Sequence, residues 1–584
     1  MRSKRFSSRF VVGTLLASAF VSAVALPRVA DAQSVAPTRD ELTRDRPVEA
    51  PRRPTLNVVG GIERSPCPLA DPRYADVKVT LTEVRFNNLK GATPEELRSS
   101  WAAYANTPQP VAVLCEVRDA AATILRAKGY LAAVQVPTQR IENGVVTMET
   151  LFARITVVRA RGQTGGAEAK LAGYLSKLTE DDIFDRNRAE RYLLLARDLP
   201  GYNVQLTLRP AGTAPGELIG EVSVIRTPFT LDATVQNLAA RQTGRWGGQL
   251  TASAYGLTGL GDVTTASFYS TFDVEEQQIA SVSHSFRPGS EGLTIDAGFT
   301  YAWTKPDLDA GDDVPDLEAR TLFATLAARY PLVRRQNQNL WLGGGFDFVN
   351  QKVDFFVPLT RDRLRIAFLR ASWDAIDLRS RRPKWRAAAT VELRRGLDIF
   401  DASNRCLSSG CPTDAPGLSR FDGRPTATLV RAAGNAELAI GNSFSLAVSP
   451  RVQKAFSPLL SFEEYTAGNY TIGRGYEPAV VGGEGGAGVA VELRGPRISA
   501  GQVRPVALQP YLFGDAAWVW NHDDGRDAER VTSVGGGVRA DLDTRFRLDA
   551  ALAFPLERAG LQTKRGDPRL LVTLTSRFVP WRLP

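Results

Sequence analysis

The chain has 584 residues, among them 72 Lys or Arg, 63 Asp or Glu, 2 His and 4 Cys, with 43% hydrophobic and 23% charged residues. That balance belongs to a folded protein and excludes wholesale disorder and collagen-like repetition, while two histidines and four cysteines leave little material for a zinc or iron centre. The length calls for two to four domains unless one large closed sheet absorbs most of it.

The first nine residues carry Arg2, Lys4, Arg5 and Arg9 without an acid, and an uncharged run from Phe10 to Leu26 leads to Ala30-Asp31-Ala32. This is the pattern of a secretory signal peptide over 1–32, cleaved after Ala32. The uncharged run is shorter than the ~20 residues of a membrane-spanning helix. Residues 1–32 hold five basic residues and one acid, so the formal net charge of +9 falls to +5 in the mature chain. No Lys/Arg run remains of the kind that binds nucleic acid, and no nucleic-acid partner is expected. Beyond residue 32 no apolar stretch is long enough for a spanning helix, which leaves an exported soluble protein or an outer-membrane β-barrel.

Residues 33–74 are rich in Pro, Arg, Asp and Glu and read as a linker, with room for one short helix beginning at Arg39 to Thr43. From 75 to 152 the texture becomes α+β. Val77 to Phe86 alternates like a strand. Thr93-Pro94-Glu95-Glu96 starts a helix carrying Leu97, Trp101 and Tyr104, and a second helix runs from Val113 to Lys128 and stops at Gly129. Strands at 132–136 and 144–150 complete a β-α-α-β-β order. The order repeats over 153–227, with a strand at 153–158, helices at 167–178 and 185–197, and strands at 204–208 and 218–225, so the two units form an internal repeat.

Cys406 and Cys411 enclose a short loop-like stretch, and Cys67 and Cys115 form the other pair. In an oxidising compartment these are two candidate disulfides, although four free thiols fit the sequence equally well.

Beyond Arg226 the periodicity is two. Phe229, Leu231, Ala233 and Val235 alternate with Thr230, Asp232, Thr234 and Gln236, and the dyad returns at 293–301, 322–330, 364–368, 444–448, 510–520 and 570–578. At roughly 22 residues per strand and turn, 228–584 accommodates about 16 strands, enough to close a barrel around a polar lumen. A soluble sandwich or propeller would alternate too. The uninterrupted length, the export signal and Trp303, Trp341, Trp518, Trp520 and Trp581 as girdle residues favour the barrel. His284 and His522 are isolated, with no nucleophile motif beside them, and His284 alternates onto a polar strand face expected to line the lumen. Gly482-Gly483-Glu484-Gly485-Gly486 lacks the Lys-Ser/Thr of a phosphate-binding loop. Asp312-Asp313 and Asp523-Asp524 read as solvated turns. No catalytic, cofactor or metal site is expected.

The chain resembles the two-partner secretion transporters, the ShlB/FhaC/HecB-type haemolysin secretion/activation proteins of the outer-membrane superfamily that includes the BAM assembly barrel. Lys128-Gly129-Tyr130 through Pro137-Thr138-Gln139-Arg140 to Gly144 is similar to a stretch of the family's first POTRA domain, and Leu195-Ala196-Arg197-Asp198-Leu199-Pro200-Gly201 to one of its second. Tyr470-Thr471-Ile472-Gly473-Arg474-Gly475-Tyr476 resembles the tip of the family's sixth extracellular loop, with Gly473 in place of a Val. Phe513-Gly514-Asp515-Ala516-Ala517 resembles a barrel-wall motif, with Ala517 in place of its Gly.

The resemblance implies two periplasmic POTRA domains, at 75–152 and 153–227, and a 16-stranded antiparallel transmembrane β-barrel at 228–584. A loop around 465–488 is inserted into the lumen, where Arg474, Gly475 and Tyr476 form its tip and Asp515 pairs with Arg474. It further implies a type V export pore that needs no cofactor or ATP. Its partners are a β-rich exoprotein of haemolysin or adhesin type bound in extended form by the POTRA domains, the outer-membrane lipids, and the BAM machinery for its own insertion. The alternative within the superfamily is an assembly factor for other barrels.

Overall fold

The computed structural model describes residues 36–43, 56–58, 67–214, 216–307, 316–380, 382–404, 416–500, 506–522, 527–542, 545–560 and 562–578. The expected signal peptide, the Cys406–Cys411 pair, Asp312-Asp313, Asp523-Asp524, Trp581 and the tail after Phe578 lie outside the described residues.

The first α+β unit is a sheet in the order Glu83–Asn87, Val145–Phe152, Ala132–Gln135, parallel across the first pair and antiparallel across the second. The helix Val113–Ala127 covers it, burying Val113, Leu114, Val117, Ala121 and Leu125 at helical spacing. A disulfide joins Cys67 to Cys115 on that helix. The helix expected after Thr93 is shorter than its apolar spacing implied. A capping box between Thr93 and Glu96 opens it, but it ends at Leu97, and Trp101 and Tyr104 fall on and beside two 3₁₀ turns. The Ser100 hydroxyl donates to the Leu97 carbonyl at 2.6 Å, and Trp101 departs from helical geometry with a φ of −133°.

The second unit has the strand order Leu56–Val58, Tyr202–Pro210, Glu217–Arg226, Arg154–Gly162, packed under the helices Glu168–Ser176 and Arg186–Arg197. Its first strand comes from the linker. Leu56, Asn57 and Val58 pair in parallel with Leu206, Thr207 and Leu208 and occupy the outer edge of the sheet.

The barrel runs from Phe229–Gln236 to Arg569–Phe578, and these two strands pair antiparallel to close it. Counting Gly485–Arg494 and Ile498–Ala500 as one interrupted strand, sixteen wall strands are present among the described residues. They are uneven: the seam strand Phe229–Gln236 has 8 residues, while the hairpin Gln338–Phe355 and Val357–Ile376 has strands of 18 and 20. About ten tilted residues cross a bilayer, so this hairpin projects well beyond it at the end distal to the α+β units.

Period-two alternation places apolar side chains such as Leu326, Leu369, Leu512 and Leu570 on the exposed outer face. Trp303, Trp518 and Trp520 are exposed as girdle residues, but Trp341 has the parity of the lumen-facing side chains and lies beneath the Arg329 guanidinium. Trp373 and Trp385 are exposed on the outer face instead. His284 also departs from expectation. Ile279 and Gln277 of its strand point inward, so His284 shares the outer face with Val282 and Phe286, bonded to Thr264 Oγ1 at 2.9 Å. A histidine that takes its polar partner from a neighbouring strand tolerates that face, which residue type alone does not reveal.

The second unit docks on the barrel's proximal turns. Asp198 receives Nε and Nη2 of Arg334 at 2.7 and 2.6 Å, and Arg191 donates to the Pro331 carbonyl at 3.0 Å.

Candidate functional site in the barrel lumen

Between the wall strands Phe444–Ala455 and Gly485–Arg494 the chain folds back into the barrel. Leu460 and Phe462 pack on Leu364 and Ile366 of the wall. A two-stranded ribbon, Tyr465–Ala467 with Val481–Gly483, then carries the tip inward. Tyr465, Ile472, Tyr476 and Val481 form an apolar cluster with Ala517, Val519 and Val531 of the wall. Ala517 is fully buried there, so a small side chain suffices where the family motif has glycine.

At the tip the Arg474 guanidinium meets Asp515 through Nε to Oδ2 at 3.0 Å and Nη2 to Oδ1 at 2.7 Å, and the Arg474 backbone N–H donates to Oδ2 at 2.9 Å. It lies 3.7 Å above the Phe513 ring and reaches Glu492 at 2.8 Å through Nη1. Glu492 also receives both Nη groups of Arg539 and Nε of Arg494, and Arg539 continues to Asp549. Planar guanidinium forks on carboxylates in a partly desolvated space are the strong form of this contact. Gly473 has a φ of +122°, a left-handed conformation unfavourable for valine, which accounts for the departure from the family pattern. A Cβ on Gly475 would lie 2.7 Å from the Pro555 backbone nitrogen, so the tip requires glycine there. The Tyr476 hydroxyl donates toward the carbonyls of Thr532 and Glu557 at 2.9 and 3.1 Å. Glu477 pairs with Arg245 at 3.2 Å and Arg569 at 3.4 Å, so the tip bridges the two sides of the seam.

A second charged cluster holds the N-terminal segment 36–43 inside the barrel. Its helix Arg39–Thr43 places Asp40 against Arg451 at 2.8 Å and Thr466 Oγ1 at 2.9 Å. Leu42 packs against the clusters around Phe462 and around Tyr269. Arg39 faces Asp347, Glu392 and Glu463, which also surround the fully buried Arg394. Sequence reasoning missed this cluster and the Glu492 hub. One signal was available: Val391-Glu392-Leu393-Arg394 recurs as Val491-Glu492-Leu493-Arg494, and in both strands Glu and Arg point inward while Leu is exposed. The Gly482–Gly486 stretch supplies the end of the ribbon and the start of a wall strand.

A closed barrel with an apolar outer face, its lumen occupied by a tethered loop and an N-terminal segment, and two α+β units at one mouth, defines an outer-membrane transport protein. A sequence profile described as haemolysin secretion/activation protein ShlB/FhaC/HecB matches residues 222–540, more than half of the chain, and the chain belongs to this family. It is an outer-membrane two-partner secretion transporter, with its POTRA units in the periplasm and the distal loops outside the cell.

Solved structures that share the fold include two named CdiB. CdiB from Escherichia coli superposes with a TM-score of 0.71 at 16% identity, covering 89% of this chain and 94% of that one. CdiB from Acinetobacter baumannii gives 0.65 at 15%, covering 91% and 95%. A comparison with curated protein sequences finds no match.

Proposed function

We propose that the transporter recognises an unfolded, β-rich exoprotein through the sheet edge of its second POTRA unit and passes it through the barrel without ATP. The observation that carries this reading is the parallel pairing of Leu56–Val58 with Tyr202–Pro210. The edge is already used by an extended segment, so it accepts a strand through backbone hydrogen bonds with little demand on sequence. Because that segment is the chain's own linker, the resting edge is covered. An arriving exoprotein strand displaces it, and folding of the exoprotein outside then draws the remainder through. In this reading Arg474 and Asp515 hold the inserted loop, and the helix Arg39–Thr43 blocks the lumen until the linker is released.

The test compares the culture-medium and surface proteins of a strain lacking this chain with its parent, while outer-membrane barrels are quantified in parallel. Selective loss of one large extracellular protein is the expected result. Unchanged secretion with depleted barrels would make the chain an assembly factor instead.

A further inference from the structure

The outer face of the long distal hairpin and its neighbours changes chemistry abruptly. Side-chain parity follows from the registers linking the strands Glu318–Arg334, Gln338–Phe355, Val357–Ile376 and Trp385–Gly396. On the first, the outward residues toward the distal end are Leu326, Ala324, Leu322 and then Arg320. On the second they are Phe346, Phe348, Asn350 and Lys352. On the third they are Leu369, Ala367, Arg365, Arg363 and Arg361, and on the fourth Val391, Leu393 and Arg395. In four consecutive strands the first charge beyond the lipid-facing run is therefore a cation. Arg320, Lys352 and Arg361 are directly paired neighbours in the ladder, an arrangement of like charges that is unfavourable without counter-anions.

Local acids neutralise part of this charge: Glu318 pairs with Arg320, Asp354 with Lys352 and Asp401 with Arg363. Arg361 and Arg395 have no carboxylate at ion-pair distance among the described residues. Beside them the loop after Gly396 is clipped onto the outer wall. The Arg365 guanidinium stacks 3.5 Å from the Phe348 ring and donates from Nε to the Phe400 carbonyl at 3.0 Å. Phe400 sits edge-on to Phe346, in a left-handed conformation with φ +49° and 71% of its surface exposed, next to the exposed Ile399. A bulky aromatic held in that conformation and left uncovered presents its ring to water, unless its surroundings are hydrocarbon.

We propose that this face binds a phosphorylated glycolipid of the outer leaflet. Lys352, Arg361, Arg363 and Arg395 contact its phosphates, and Ile399 and Phe400 lie among its acyl chains. The match is one of charge and polarity in sequence along each strand: acyl chains against Leu369, Leu326 and Leu393, then phosphates against the cations above them. Such a site would fix the hairpin at the membrane surface where the exoprotein emerges, and it does not depend on how the exoprotein is recognised.

The test uses the full chain in bilayers of phosphatidylethanolamine containing either lipid A or dephosphorylated lipid A, extracted into detergent and weighed intact to count retained glycolipid. Lys352→Gln/Arg361→Gln/Arg363→Gln/Arg395→Gln is expected to lower retention of lipid A at least about tenfold, at roughly 1 kcal/mol per cation near an anionic surface. Removing the same number of charges from the POTRA units, at Arg98, Arg140, Arg159 and Arg161, is expected to leave retention unchanged. Phe400→Ser, which removes no charge, is expected to lower it at least about threefold through lost apolar burial. Barrel closure of each variant is verified by its heat-dependent gel shift. Equal retention in parent, quadruple and Phe400→Ser variants would overturn the proposal, as would equal retention of the dephosphorylated lipid. Displacement of lipid A by millimolar inorganic phosphate would also overturn it, since the site would then bind a free anion.

Discussion

Arg39 and Arg394 share three carboxylates on very different terms. Arg394 makes hydrogen-bonded ion pairs with Glu463, Glu392 and Asp347 at 2.6, 2.8 and 2.8 Å. Arg39 stands 3.7 to 3.9 Å from the same three groups, and its buried Nη1 has no hydrogen-bond partner among the described residues. Arg394 is thus part of the wall, whereas Arg39 is held by attraction without directional bonds to these carboxylates; the hydrogen-bonded anchor of its helix is Asp40, on Arg451 and Thr466.

The difference is measurable. Replacing Arg39 with Ala is expected to leave barrel stability nearly unchanged while raising the unblocked fraction about tenfold, the equivalent of ~1.4 kcal/mol of lost pairing. Single-channel conductance of the reconstituted protein reads that fraction. Arg394→Met strands buried carboxylates and is expected to cost about 3–5 kcal/mol, seen as a lower thermal midpoint in detergent. Equal effects of the two substitutions on conductance would contradict the distinction.

The loop tip carries a sharper requirement. Arg474→Lys keeps the charge but loses the fork to Asp515 and the contact with the Phe513 ring, so it is expected to behave like Arg474→Ala rather than like the parent. Both variants, and Asp515→Asn, are expected to insert into the membrane yet reduce extracellular exoprotein by at least about tenfold, given the several kcal/mol at stake in a broken buried pair. Gly475→Ala drives a methyl group against Pro555 and is expected to do the same. Normal export by Arg474→Lys would show that charge alone suffices at the tip.

The bidentate contact between Asp198 and Arg334 orients the second POTRA unit on the barrel. Asp198→Asn removes the charge and is expected to weaken the docking by about 1–3 kcal/mol. Spin labels on the helix Arg186–Arg197 and on the turn around Gln336 then report a broader distance distribution. A double-mutant cycle with Arg334→Gln isolates the pair, and additive effects would mean that the other contacts of Arg191 and Tyr192 dominate.

What could be seen in the sequence follows from how local each signal is. Strand alternation along Phe229–Gln236 and a capping box at Thr93 are short-range patterns, and both correspond to the structure. The helix after Thr93 is shorter than its apolar spacing implies because the chain passes into 3₁₀ turns with Trp101 at a φ of −133°, and spacing at i, i+4 and i+7 carries no trace of that change. Arg474 and Asp515 are 41 residues apart, and only the family resemblance pairs them; composition and spacing alone do not join them. Glu492, Arg539 and Asp549 converge from three strands, and Leu56–Val58 joins a sheet built about 150 residues later, so neither arrangement has a contiguous signature. His284 and Trp341 face the opposite side from expectation because parity is set by register, which one strand's composition does not fix.

The disulfide Cys67–Cys115 couples the linker to the first POTRA unit. It closes a loop with a sequence separation of 48, for which chain entropy gives a stabilisation of roughly 4 kcal/mol. Its position adds a second effect. Leu56–Val58 are paired to the second unit, and Cys67, nine residues beyond Val58, is bonded to the first, so the bridge limits how far the linker strand can stray from its edge. Tethering of this kind raises the local concentration of the strand. Cys67→Ser/Cys115→Ser, or a reductant applied to the parent, is therefore expected to lower the melting temperature of the first unit and to speed amide hydrogen exchange along Tyr202–Pro210 in the second. Faster exchange confined to the first unit would show that the linker strand keeps its place without the bridge, and that the covered edge depends on backbone pairing alone.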